Sequence, residues 1–176
     1  MYLAVMGEAF SRLSEPVWRF HSLAGSHVFH GMVEVRAPVS IVAKLLAIFI
    51  GAPLQSARGP IRFELNAAPH TEVWTRFFRP KTMRSTFARA DSHITERLGA
   101  SLLTFALSEV DGALEMQLKA MKFLGIVCPA WLMPHVTARE TGENDRLNFQ
   151  VEAVVPLIGR VASYVGYLDI PREGVK

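Results

Sequence analysis

The segment Glu72–Phe78, with the sequence EVWTRFF, combines residue types and a spacing that suit small-molecule binding. Side chains two positions apart lie on the same face of a strand, so Glu72, Trp74, Arg76 and Phe78 would share one face. On a concave face, Arg76 would offer paired N–H donors to an anionic headgroup, Trp74 an apolar or cation–π wall, and Glu72 a countercharge that fixes the guanidinium. On a face exposed to water, the same row would be a ladder of cross-strand ion pairs and stacked rings.

Motifs for other kinds of chemistry are absent from the sequence or poorly spaced. The loop 51–59 contains neither the glycine fingerprint of dinucleotide-binding proteins nor the Lys-Ser/Thr ending of a nucleotide loop, so no nucleotide cofactor is predicted. His27 and His30 stand three apart on an expected strand, which sends them to opposite faces, so no metal site is predicted. The sequence has no Gly-x-Ser-x-Gly motif, so hydrolase chemistry would need residues from distant segments.

The charge balance is weakly basic. The 176 residues include 19 Lys and Arg against 16 Asp and Glu, which gives a net charge of +3. The basic residues are scattered along the chain, whereas nucleic-acid-binding proteins concentrate them, so no nucleic-acid partner is predicted. The densest group, Arg76, Arg79, Lys81 and Arg84, is interpreted as strand ends and a turn facing water, with a phosphate or anionic-lipid patch as the alternative.

The cysteine count and the apolar runs indicate the compartment. Cys128 is the single cysteine, which excludes an intrachain disulfide and favours a reducing compartment. The first twenty residues mix charged and apolar positions, unlike a signal peptide, so a cytoplasmic location is predicted. The longest apolar run, 39–50, is shorter than the roughly 20 residues that span a bilayer, so it predicts a buried helix and no transmembrane segment.

The first half of the chain has the pattern of helices mixed with strands. Apolar spacings of three and four from residue 7 to residue 23 predict an amphipathic helical segment, interrupted by Pro16. Pro38 opens a second helix at 39–50. Alternating patterns predict strands over 28–36, 61–66 and 71–78, followed by one or two more strands between 82 and 98.

The second half of the chain has the clearest local pattern, a β-hairpin. Asp111 and Gly112 separate the alternating runs 102–110 and 113–123, and they supply the positive φ angles of a tight turn. Further strands are predicted over 136–141 and 147–155. The tail 157–170 fits either a helix or a strand, and the strand is favoured.

These elements predict one α+β domain over residues 1–176, with an N-terminal helical segment at 7–23 and a sheet with a packed helix over 28–170. Successive hairpins favour antiparallel pairing. We expect a strongly curved antiparallel sheet of about seven or eight strands, open-barrel or helix-grip-like, with the helix 39–50 packed across it. Such a sheet leaves room for an apolar cavity on its concave side.

Seven short segments also match the pattern of a known family. They are 6–13 (MGEAFSRL), 17–21 (VWRFH), 72–78 (EVWTRFF), 96–99 (ERLG), 111–114 (DGAL), 156–159 (PLIG) and 164–168 (YVGYL). Together they resemble a bacterial family known as domain of unknown function 4166, and the resemblance covers nearly the whole chain. Members occur alone or behind an oxidoreductase-like domain, so the resemblance implies an accessory or substrate-handling role.

Three functions follow as hypotheses. The favoured one is a non-enzymatic binding module for an apolar or amphipathic small molecule, with or without an acidic group, that uses Glu72, Trp74, Arg76 and Phe78. The second is an interaction or regulatory domain that docks on an oxidoreductase-like partner, which requires an exposed apolar patch. The third is an enzyme of hydrolase or isomerase type, which requires Glu72, Arg76 and a histidine to converge in a pocket.

Overall fold

Within residues 1–79 and 81–172, which the computed structural model describes, ten antiparallel strands close into a barrel and a short further strand extends it. The helices are α1 (Tyr2–Met6), α2 (Glu15–His21) and α3 (Ile41–Ile50), with 3-10 helices at Gly7–Arg12 and Ala130–Leu132. The strands are β1 (Gly25–Val35), β2 (Ala57–Ala67), β3 (Thr71–Phe77), β4 (Thr82–Ala90), β5 (His93–Leu98), β6 (Ser101–Val110), β7 (Ala113–Phe123), β8 (Ile126–Val127), β9 (His135–Glu143), β10 (Arg146–Val155) and β11 (Gly159–Asp169).

The barrel closes because its last strand pairs with its first and because β7 has partners on both sides. The strand order is β6-β5-β4-β3-β2-β1-β11-β10-β9-β7, and β7 also pairs with β6. The short β8 lies against the end of β7, outside the ring. Closure leaves the ten strands without a free edge, which is the arrangement that removes the risk of edge-to-edge pairing.

The predicted fold class, an α+β open sheet of seven or eight strands, is therefore wrong. The segment 82–98 forms two strands, β4 and β5, and the ambiguous tail forms β11. β11 pairs with both β1 and β10, which joins the two ends of the expected sheet. Sequence patterns identify strands, but they do not show which distant strands pair with each other. The closure of the sheet into a barrel therefore could not be predicted from the sequence.

Alternation along the strands places one apolar face inside the barrel. In β2, Ile61, Phe63 and Leu65 are buried, and the Arg and Glu between them point outward, as the pattern predicts. The predicted hairpin is confirmed as β6 and β7, with Asp111 at φ 51° and Gly112 at φ 78° in the turn. These angles match a two-residue hairpin turn in which both central residues are left-handed.

The N-terminal segments close one end of the barrel, which we call the closed end. The expected helix at 7–23 is split into the 3-10 helix Gly7–Arg12 and α2, and Pro16 sits in the first turn of α2. Phe20 of α2 is buried and its ring meets those of Phe29, Phe63 and Trp74. An ion pair of 2.8 Å between Arg19 and Asp145 ties α2 to the turn between β9 and β10.

α3 lies at the opposite end, which we call the open end. Ser40 caps the helix by accepting a bond from the Ala43 amide at 3.1 Å, and its hydroxyl donates to the Ile158 carbonyl at 2.9 Å. Only Ala43 and Ala47 of α3 are fully buried. The prediction of a buried helix is wrong for the large side chains, because the alanines face the barrel while residues such as Ile41 face outward.

In the part of the chain that the structure describes, the helices all fall short of the length and hydropathy needed to cross a membrane.

β1 and β11 approach closely at two glycines, Gly31 and Gly166. A Cβ on Gly166 would lie 2.1 Å from the Met32 carbonyl oxygen, a backbone atom that cannot move aside. We expect Gly166→Ala to lower the free energy of unfolding by about 1–3 kcal/mol, as overpacking does elsewhere. Urea denaturation of the variant and the parent protein measures this difference.

Gly59→Ala is the matched control, because Gly59 also lies in a strand of the barrel and a Cβ there meets nothing within 4 Å. We expect the control to match the parent or to gain up to about 1 kcal/mol through a less flexible unfolded chain. Equal stability of the two variants would mean that β11 does not pack this closely on β1.

Candidate functional site

The row predicted from the EVWTRFF segment lies on the inner face of the barrel. Glu72, Trp74 and Arg76 are 4%, 5% and 6% exposed, whereas the intervening residues of β3 are only half-buried. Their neighbours across the strands are apolar or small: Trp74 pairs with Leu65 and Ser85, and Arg76 pairs with Phe63 and Met83. Because these side chains are buried, they do not form the water-exposed ladder of ion pairs and stacked rings that was the alternative interpretation of the sequence.

Trp74 and Arg76 line a cavity of about 230 Å³ inside the barrel. The cavity runs from Leu46 and Ile50 of α3 at the open end to Trp74 and Glu140 in the interior. Most of its wall is apolar, and its polar lining residues are Arg76, Glu96, Ser101, Cys128, Arg139, Glu140 and Tyr164. Because typical ligand pockets measure about 300–1,000 Å³, this one suits a narrow molecule or the inserted part of a longer one.

The Arg76 guanidinium has few partners in this interior. Its Nη1 donates to the Ser85 hydroxyl at 2.9 Å, and its Cζ lies 5.1 Å from the centre of the Trp74 ring. In the described parts of the chain, the ion pairs do not include Arg76. A guanidinium carries five N–H donors, so most of its donors remain for a molecule in the cavity.

Glu96 of β5 is paired with Phe87 across the strands, lies within hydrogen-bonding reach of Ser85 and also lines the cavity. Burial raises the pKa of Glu96 above its ordinary value of 4.5, and the Arg76 charge and a hydrogen bond from Ser85 only partly oppose this. The folded protein therefore keeps this carboxyl protonated to a higher pH than a free glutamic acid, and the protonated form has an O–H donor. Arg76, Ser85 and Glu96 together form a polar group in an otherwise apolar wall.

Glu72 supports the site from behind rather than lining the cavity. Trp74 Nε1 donates to Glu72 Oε2 at 2.9 Å, which fixes the orientation of the indole ring. Burial raises the pKa of Glu72, and the charge of His21 and the bond from Trp74 act in the opposite direction. The predicted role of Glu72 as a direct countercharge to Arg76 does not match this geometry.

His21 of α2 connects the closed end to the cavity wall. Its Nε2 lies 2.6 Å from Glu140 Oε2, and its ring lies 3.9 Å from the centre of the Tyr2 ring. Glu140 lines the cavity but the His21 side chain is fully enclosed behind it. No histidine is among the described residues that line the cavity, so the convergence expected of an enzyme is incomplete.

Phe78 is the member of the predicted set that lies apart from the cavity. Phe78 is buried, and the centre of its ring lies 5.5 Å from the centre of the Tyr164 ring. It lines a separate crevice together with Arg79 and Lys81. The structure thus brings Trp74 and Arg76 together at the cavity and leaves Glu72 and Phe78 as their packing neighbours.

Sequence reasoning missed Ser85, Glu96 and Glu140, which come from three other strands. One signal was present for Glu96: it alternates with Ile94 and Leu98, so it shares their apolar face. A carboxylate on an apolar face is rare enough to mark a candidate site. The β3–β4–β5 register pairs Ser85 with Trp74 and Leu98, so that its hydroxyl reaches Arg76 diagonally, and this register carries no comparable signal in the sequence.

Comparison with known proteins identifies a family and finds similar solved structures. A family model described as domain of unknown function (DUF4166) matches residues 13–168. No curated protein matches the chain. Among solved structures, the chain is similar to Rv2717c from M. tuberculosis, with 9% sequence identity and a TM-score of 0.47 over 91% of this chain and 99% of that chain.

The raised pKa of Glu96 makes stability depend on pH. Because the folded state binds the proton more tightly, this contribution is complete below the ordinary pKa of 4.5 and is lost as the pH rises through the raised pKa. Glu96→Gln mimics the neutral acid, so we expect it to be more stable than the parent protein at neutral pH. The gain is about 1.4 kcal/mol for each unit of pKa shift and vanishes below the ordinary pKa. Urea denaturation across this pH range measures it.

Glu109→Gln serves as a control of opposite sign. A hydrogen bond from the Gly112 amide, followed by one from Arg12, holds the pKa of Glu109 below its ordinary value. Its contribution is present above the ordinary pKa and is lost as the pH falls, so this variant should be less stable at neutral pH. If Glu96→Gln also loses stability at neutral pH, the ionised carboxylate is needed to balance Arg76 and the neutral assignment is wrong.

Proposed function

We propose that this chain, which belongs to the DUF4166 family, binds a small amphipathic molecule with an acidic group inside its barrel. The observation that supports this most directly is Arg76, a buried cation that forms no ion pair with the described residues and faces an apolar cavity. A permanently charged group in such a place is costly unless a partner of opposite charge joins it. A ligand carboxylate would supply that partner.

The neighbours of Arg76 suit this headgroup. The planar guanidinium forms paired N–H···O bonds with a carboxylate, and Trp74 supplies a flat apolar wall beside it. The neutral form of Glu96 would donate an O–H to the same headgroup, whereas its ionised form would repel it. We therefore expect binding of acids to weaken as the pH rises through the raised pKa of Glu96.

The rest of the wall suits an apolar tail. Met83, Phe105, Met116 and Val151 are among the side chains that surround the space between Arg76 and the open end. Each buried methylene of a ligand contributes roughly 0.8 kcal/mol, and methionine side chains adapt to irregular shapes. The favoured ligand is an acid with a short or narrow apolar tail whose far end points to α3.

The sequence-based alternatives have weaker support. Docking on an oxidoreductase-like partner requires an exposed apolar patch, and the exposed apolar residues of α3 at the open end supply one without indicating a protein partner. A hydrolase or isomerase requires a histidine facing the cavity, and His21 is enclosed behind Glu140. The free thiol of Cys128 is compatible with the reducing cytoplasm that the sequence predicts.

Arg76→Met tests the headgroup assignment while it keeps the side-chain volume similar and removes the charge. The probe is a dansyl-labelled undecanoic acid, displaced in fluorescence titrations by decanoic acid, decanol or decylamine. We expect the parent protein to prefer the acid, and the variant to bind it about 10- to 100-fold more weakly with decanol unchanged, since a charge-assisted bond contributes about 1.5–3 kcal/mol.

Arg62→Met is the control, because Arg62 lies on the outer face of β2 next to Phe77 and pairs with Glu64. It should leave all three affinities unchanged. Equal affinities of the parent protein for acid, alcohol and amine, or no displacement by any of them, would contradict the proposed function.

A further inference from the structure

The open end of the barrel exposes large apolar side chains. On α3, Ile41, Leu45, Ile48 and Phe49 face outward, and Ile41 is 78% exposed. Trp131 and Leu157, from two other connections at this end, are 69% and 96% exposed. A helix that is apolar on its outer face as well as its inner face is typical of burial in a protein core or a membrane, not of a helix in water.

These side chains belong to one continuous surface, because backbone bonds hold their segments together. The Phe49 carbonyl accepts from the Ala100 amide at 3.1 Å, and the Ala100 carbonyl accepts from the Leu124 amide at 2.9 Å. At the other end of α3, Ser40 bonds to Ile158, the neighbour of Leu157. The mouth of the cavity, lined by Leu46, Ile50 and Leu132, lies within this surface.

The connections at the open end of the barrel carry only positive charge. Among the described residues, the connections 36–56, 78–79, 81, 99–100, 124–134 and 156–158 contain Arg36, Lys44, Arg79 and Lys81 but no Asp or Glu. The closed end is mixed: its turns contain Asp91, Asp111 and Asp145, and Asp145 pairs with Arg19 and Arg172. The apolar surface therefore lies among connections whose charges are all positive.

We propose that the open end docks on the surface of an anionic lipid bilayer, with α3 lying in the interface. The apolar side chains enter the boundary between headgroups and acyl chains, and Trp131 sits at the level that tryptophan prefers. The lysines and arginines around them meet the negative headgroups, and the closed end, where arginines pair with the acidic residues, points away. The exposed apolar side chains of α3, with Lys44 among them and no acidic residue in the described open-end connections, suit an anionic lipid surface.

This docking stands apart from ligand binding, although it would place the cavity mouth against the lipid. The test is co-sedimentation of the full chain with sucrose-loaded vesicles. One set is phosphatidylcholine alone, and the other contains about 30% phosphatidylglycerol, a fraction that gives a strongly negative surface. We expect at least about tenfold stronger binding to the anionic vesicles, and weaker binding as salt rises from about 0.1 M to about 0.5 M.

The triple variant Ile41→Gln, Trp131→Gln and Leu157→Gln removes exposed apolar groups without opening the core. We expect it to bind anionic vesicles at least about tenfold more weakly and to keep its affinity for the soluble acid probe. The matched control is Leu3→Gln with Trp18→Gln, which changes exposed apolar residues near the closed end and should bind as the parent does. Arg76→Met, inside the barrel, should also bind vesicles normally.

Several results would overturn the docking proposal. One such result is that the protein does not bind anionic vesicles, or that it binds both vesicle types equally. Another is that the triple variant and the control lose the same amount of vesicle binding. A dimer seen by light scattering that the triple variant dissolves, without vesicle binding, would assign the surface to a second copy of the chain. Loss of acid binding with normal vesicle binding would refute the proposed ligand alone.

Discussion

The pairing of β11 with β1 is the constraint on which the rest of the structure depends. It turns a meander of strands into a ring, and the ring encloses the row of Glu72, Trp74 and Arg76, each less than 10% exposed. Burial inside this ring raises the pKa values of both Glu72 and Glu96. In an open sheet the same residues would be ordinary surface charges.

The close approach of these two strands sets strict local limits. Gly31 and Gly166 stand where the backbone of one strand would meet a Cβ on the other. Glycine costs conformational entropy in a strand, and here that cost is offset by the closure of the ring. The cavity thus depends on two glycines that are not among its lining residues.

The sequence predicted local elements well and long-range partners poorly. The alternation of Ile61, Phe63 and Leu65 and the Asp111-Gly112 turn each contain their own structural information, and both predictions are confirmed. The inward face of Trp74 and Arg76 followed from strand period, but whether that face was enclosed depended on β11. Glu96 and Ser85 join Arg76 only through the β3–β4–β5 register, which no pattern within one strand encodes.

The attachment of α3 has a mechanical consequence. The helix rests on the barrel through Ala43 and Ala47 and through the partly buried Leu46 and Ile50, and bonds at Ser40 and Phe49 anchor its two ends. It packs on the barrel less extensively than neighbouring strands of the ring pack on each other, so α3 can open locally at a lower free energy than any two strands can separate. A tilt of α3 would therefore change the width of the cavity entrance while the ring of strands stays intact.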